Sequence, residues 1–109
     1  MHTTLIVARL DPTSTDDVAS LFAEFDRTQM PHRMGTLRRQ LFSYQGLYFH
    51  LQDFASEDGS QRIAEARSHP LFTGISDDLK QHITAYDPAT WRSPADAMAQ
   101  RFYHWEQES

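Results

Sequence analysis

The chain has 109 residues, no cysteine, a net charge of −5 and an aromatic set of seven Phe, four Tyr and two Trp. That length bounds it to a single domain, 1–109, and the missing cysteine excludes disulfides, iron–sulfur clusters and thiol catalysis. An acidic chain whose longest basic run is Arg38-Arg39 lacks the basic patch that nucleic acid requires, and no apolar run is long enough to span a membrane. The first residues carry no signal-peptide pattern, so the expected compartment is the cytoplasm.

Thr4-Leu5-Ile6-Val7-Ala8-Arg9-Leu10 is a β-rich run that stops at Asp11-Pro12. A helix is expected to begin near Ser14, which stands in capping-box spacing with Asp17. Val18, Leu21, Phe22 and Phe25 follow at i, i+3, i+4, i+7 and give that helix an apolar stripe. It should end before Pro31, because a proline pushes the preceding residue out of the α region.

Leu37 to Leu51 reads as a hairpin around Gln45-Gly46, glycine supplying the positive φ that a two-residue turn needs. This turn pairs Tyr44 with Leu47, Phe42 with Phe49 and Gln40 with Leu51 on one face. The other face then carries Ser43 with Tyr48, Leu41 with His50 and Arg39 with Gln52. Arg39 and His50 become diagonal neighbours about 5–8 Å apart. Both faces of the hairpin are apolar, so both need cover: helices for one, and a second copy of the sheet for the other.

A polar loop through Ser56-Glu57-Asp58-Gly59-Ser60 precedes a helix over Arg62–Arg67 that should stop near His69-Pro70. Asp77 to Ile83 reads as a further helix with Ile75, Leu79, His82 and Ile83 inward. Asp87 to Pro94 is a proline-punctuated linker carrying Trp91, and Gln100–Trp105 reads as a closing strand. The order β-α-β-β-α-(α)-β is that of an α+β, ferredoxin-like βαββαβ fold with a four-stranded antiparallel sheet. Two such sheets face to face would make a dimeric α+β barrel.

The candidate chemistry centres on Asp26, Arg39 and His50. Asp26 falls at the C-terminal end of the first helix, where a carboxylate opposes the helix dipole and a cationic partner such as Arg39 compensates. In an apolar cavity, arginine offers fixed donors to a developing oxyanion and histidine can move a proton near neutral pH. The six histidines have no metal-ligand spacing, which points away from a metal site. His82 reads as a core residue, and Tyr48 as an aromatic wall with a phenolic donor.

Phe22-Ala23-Glu24-Phe25-Asp26, Gly35 followed by Arg38-Arg39, Leu47-Tyr48-Phe49-His50-Leu51 and above all Arg67-Ser68-His69-Pro70-Leu71-Phe72 resemble the tetracenomycin-type aromatic polyketide cyclases. The resemblance covers nearly the whole chain, including the aromatic ending Phe102-Tyr103-His104-Trp105. It implies a homodimer without cofactor that directs aldol-type ring closure and dehydration of a poly-β-ketone or a partially cyclised aromatic polyketide. The substrate would be free or held on the acyl carrier protein of a minimal polyketide synthase. Asp26, Arg39 and His50 carry over as the catalytic polar groups, with Phe22, Phe25, Tyr48, Arg67, His69 and His104 as substrate-contacting candidates. One departure stands out: family members can carry a histidine immediately before the aspartate, and here that residue is Phe25. Two other readings share the architecture: a dimeric ferredoxin-like monooxygenase acting on an aromatic polyketide, and a non-catalytic accessory protein of the synthase.

Overall fold

In a computed structural model, which describes residues 2–56, 59–92 and 94–107, the turn at Gln45-Gly46 organises the sheet. Both residues have positive φ (48° and 80°), the requirement of a type I′ turn, whose twist matches that of the strands it joins. It connects β2 (Thr36–Tyr44) to β3 (Leu47–Phe54) in the expected register, with Arg39 opposite Gln52, Leu41 opposite His50 and Ser43 opposite Tyr48. Leu37 is the extra residue of a bulge, since Thr36 pairs with Phe54 and Arg38 with Asp53. β1 (His2–Leu10) lies on the other side of β3, and β4 (Ile83–Ala85) on the outer edge of β1. The sheet order β2-β3-β1-β4 is antiparallel throughout, which is the ferredoxin-like α+β arrangement.

One face of the sheet is covered by helices. α1 (Thr15–Asp26) buries Val18, Phe22 and Phe25, three members of the expected stripe. Ser14 precedes it but makes no side-chain cap, so the capping box does not form. Asp11 instead caps a short 3-10 turn over Pro12–Ser14, and the Ser14 hydroxyl pairs with His82 Nδ1 at 2.9 Å. That bond satisfies His82, which sits in the turn before β4. α1 ends at Asp26, where the Thr28 hydroxyl donates to the Phe25 carbonyl and accepts from the Met30 amide. Pro31 then falls in the first turn of a second short helix, α2 (Met30–Met34), where its missing N–H costs nothing. Gly35, at φ 74°, closes α2 in the left-handed region.

α3 (Gly59–Ala66) and α4 (Pro70–Leu79) complete the layer. Pro70 starts α4, and His69 Nδ1 accepts from the Leu71 amide as its N-cap. The expected helix over Asp77–Ile83 is thus corrected: the helix lies earlier, and Ile83 opens β4. The Arg-Ser-His-Pro-Leu-Phe run is a helix-initiation device that turns Phe72 inward.

The closing strand expected over Gln100–Trp105 is corrected as well. The outer edge of β1 is already taken by β4 at Ala8–Leu10, by a bridge of Ile6 with Met98, and by the Ala99 amide bonding Leu5 O. From Gln100 to Gln107 the chain leaves the sheet without regular structure, and Phe102 and Trp105 are exposed.

Helix-side residues Ala8, Tyr48, His50, Gln52 and Phe54 are buried, whereas the opposite face presents Leu5, Val7, Phe42, Tyr44, Leu47, Phe49 and Leu51, with Phe42 and Tyr44 exposed. Among the described residues no helix is long and apolar enough to cross a membrane. Gln45 bears the left-handed cost that an L side chain meets at φ 48°. Gln45→Asn, a residue that tolerates this region, should therefore raise stability by about 0.5–1 kcal/mol in urea unfolding, with no change in m.

Candidate active site

Between the helices and the sheet lies a cavity with room for the centre of a water molecule over about 160 Å³. Ile6 and Ala8 of β1, Tyr48, His50 and Gln52 of β3 and Arg39 of β2 make its floor. Phe22 and Phe25 of α1 and Phe72, Ile75, Ser76 and Leu79 of α4 make its walls, and Trp91 closes one side. The lining is apolar almost throughout, so the few polar groups in it act in a poorly screened medium.

Arg39 is the centre of those groups, its side chain only 7% exposed. Its Nε donates to both carboxylate oxygens of Asp26 at 3.1 Å, and Nη2 lies 2.9 Å from Asp26 Oδ1. Nη1 donates to Gln52 Oε1 and, at 2.8 Å, to His50 Nε2. The guanidinium also lies over two rings, 4.9 Å from the centroid of Phe22 and 5.6 Å from that of Phe25. Nη2 is sealed from solvent and makes no aligned hydrogen bond, its contact with Asp26 being an ion pair. A buried cation is tolerated when it is paired and hydrogen-bonded on most sides, and Arg39 meets that condition.

An arginine can only donate, so His50 Nε2 must accept and the ring proton resides on Nδ1. Burial, reinforced by the Arg39 charge, lowers the His50 pKa to about 3. A histidine that gains and loses a proton near neutral pH is the expectation from composition; in this setting the imidazole is neutral and serves as an acceptor. Burial likewise pushes the Tyr48 phenol above its ordinary value.

Asp26, Arg39 and His50 thus converge as the hairpin register and helix stripe indicate, and Phe22, Phe25 and Tyr48 line the same cavity. Arg67, His69 and His104 do not line it. Arg67 is exposed, His69 is engaged in capping α4, and His104 stands on the exposed tail beside Glu106. Gln52, Ser76 and Trp91 line the cavity without having been singled out by the sequence. Gln52 was within reach of the strand alternation that brought out Tyr48 and His50. Trp91 was signalled only by a lone tryptophan in a linker, here held by a turn in which the Thr90 and Trp91 amides bond Asp87 O.

A family model described as polyketide synthesis cyclase matches residues 2–106. The chain belongs to that family. Relatives of this cyclase-family chain include an uncharacterized protein of Streptomyces coelicolor, 48% identical over 97% of this chain and 96% of the other. The polyketide synthase CurG of Streptomyces cyaneus is 42% identical, covering 99% of this chain and 100% of its own. The solved structure of tetracenomycin F2 cyclase from Streptomyces glaucescens, a type-II polyketide cyclase, superposes with a TM-score of 0.91. It is 37% identical and covers 99% of this chain and 100% of that one.

The His50 environment has a consequence for stability. Its pKa is depressed in the folded chain, to about 3 from 6.5, so only the unfolded chain takes up the proton in that interval. The His50 contribution to stability should be constant above about pH 6.5 and fall as pH drops towards 3, by up to about 1.4 kcal/mol per pH unit. Denaturant unfolding of the wild type and His50→Gln between these pH values checks it: the variant should lose that component of the slope.

Proposed function

We propose that this chain is a polyketide cyclase that directs aldol-type ring closure and dehydration of a poly-β-ketone or partially cyclised aromatic polyketide, and needs no cofactor to do so. The observation that carries the reading is a single desolvated guanidinium, fixed by three side chains, at the floor of an apolar, ring-lined cavity. The family and its named relatives supply the substrate class.

In the reaction an enol carbon of the substrate forms a C–C bond to a ketone carbon, and the ketone oxygen takes up the negative charge and then a proton. Loss of that hydroxyl with a neighbouring C–H proton expels water and leaves the new double bond. No electrons enter or leave, so neither oxidant nor reductant is required. Poly-β-ketones enolise readily, and the difficult part is choosing which carbon meets which carbonyl. A shaped cavity makes that choice by holding one folded conformer with the reacting atoms close. Arg39, which lines the cavity, stabilises the enolate or aldolate through its charge. Asp26, Gln52 and His50 hold it in place. Protons then move through the substrate's own acidic positions and through solvent.

The homodimer is part of the proposal. Its support is the apolar open face of the sheet and the aromatic tail, whose Phe102 is 97% exposed in the single chain. Light scattering should give twice the chain mass of 12.6 kDa at micromolar concentration; a monomer would remove this part.

Reconstitution of a minimal aromatic polyketide synthase with and without the chain tests the activity. The expected result is a shift from mixed shunt products to one differently cyclised aromatic. Oxygen uptake would favour the monooxygenase reading, and synthase binding with an unchanged product would favour the accessory one. Arg39→Met should lower turnover by about 10²–10³-fold, the usual cost of losing an oxyanion-stabilising donor. His50→Ala should lower it only several-fold and keep the same product, because it loosens Arg39 without removing its charge. Complete loss of turnover in a folded His50→Ala variant would overturn the positioning role.

A further inference from the structure

One group in the cavity is left over by ring closure at Arg39. Tyr48 is 4% exposed, and its ring packs with Ala8, Leu10, Val18 and Phe22. Its hydroxyl nonetheless makes no hydrogen bond to any described residue, and Tyr48 lines the cavity. Nothing in the fold uses that hydroxyl, and phenylalanine would fill the same space. The other hydroxyl in the lining, Ser76, is only partly buried and has access to solvent.

The position of Tyr48 relative to Arg39 gives the hydroxyl a use. Tyr48 and His50 are successive residues on one face of β3, with ring centroids 6.2 Å apart. Arg39 bonds His50 and the next residue on that face, Gln52. The two donors therefore stand at different levels along the strand. A poly-β-ketone carries an oxygen on every second carbon, so it can slide by one repeat and still offer an oxygen to Arg39. A single contact cannot tell these registers apart; a second donor at a fixed spacing can.

Resting on the cyclase reading above, we propose that the Tyr48 hydroxyl donates to a second substrate oxygen and so sets which carbonyl stands at Arg39. Tyr48 is then a binding residue that decides the ring closed rather than the rate of closing. Because burial keeps the phenol protonated, it is a donor at every working pH.

The test compares wild type and Tyr48→Phe on the poly-β-ketone made by a reconstituted minimal synthase, reading product identities, total turnover and melting temperature. The expected variant melts at the same temperature or higher. Its ratio of native to misclosed ring products falls about five- to tenfold. An unchanged product ratio, with wild type active, overturns the proposal and leaves the cyclase reading standing. A clear drop in melting temperature assigns the hydroxyl a structural bond and overturns it too. A wild-type chain that alters no product overturns the cyclase reading and this role with it.

Discussion

A desolvated guanidinium dictates much of this molecule. Arg39 lies among apolar side chains, where an unpaired cation would be prohibitively costly, and its partners come from separate parts of the fold. Asp26 is delivered by the C-terminal end of α1, and His50 and Gln52 by one face of β3. Phe22 and Phe25 are delivered by the α1 stripe. Asp26 opposes its own helix dipole, so the helix end and the cation are each unfavourable alone and compatible together. Shifting α1 along the sheet would break the carboxylate contact, and a one-residue slip in the hairpin would turn Arg39 to the opposite face. Fold and site are held by the same contacts.

Phe25, immediately before Asp26, fits this arrangement. A histidine beside Asp26 would introduce a second titratable group near Arg39; the phenylalanine ring offers its negative face to the cation and adds to the buried stripe. With His50 held neutral by burial and by Arg39, the charged side chain among the residues that line the cavity is Arg39. Such a site is suited to a substrate that supplies its own acidic protons and asks mainly for placement. It would serve poorly for a substrate with an inert C–H bond.

The parts legible in the sequence are those set by short-range rules. A two-residue turn imposes its register on both flanking strands, so six hairpin pairings followed from Gln45-Gly46 alone, and with them the meeting of Arg39, His50 and Gln52. The i, i+3, i+4, i+7 spacing aimed Phe22 and Phe25 inward and left Asp26 at the rim. What escaped depended on competition between distant segments. Ile83 continues the helical period of Ile75 and Leu79, and only pairing with Leu10 of β1 makes it a strand. Phe102 to Trp105 has strand composition, but the available edge of β1 is occupied before the chain arrives there. Proline at 31 and 70 reads equally as a stop or as the first turn of a helix, and the structure uses both as the latter. Adjacency of His50 to Arg39 could be read from pattern; its loss of basicity could not, because that needs the depth of burial.

The sheet also separates two jobs within one hairpin. Arg39, Tyr48, His50 and Gln52 face the helices and the cavity, while Gln40, Phe42, Phe49 and Leu51 alternate onto the open face. Backbone pairing is common to both sets, so a change that spoils the strands damages both, but side-chain changes on one face need not reach the other. Substitutions on the open face should therefore combine additively with substitutions in the cavity as long as the strands stay paired, because no side chain is shared between the two sets. Departure from additivity would mean that cover over the open face reaches through the backbone to the placement of Arg39. The hairpin strand that carries Arg39 is also the edge strand β2, bonded on one side only, so it is the element through which such coupling would pass.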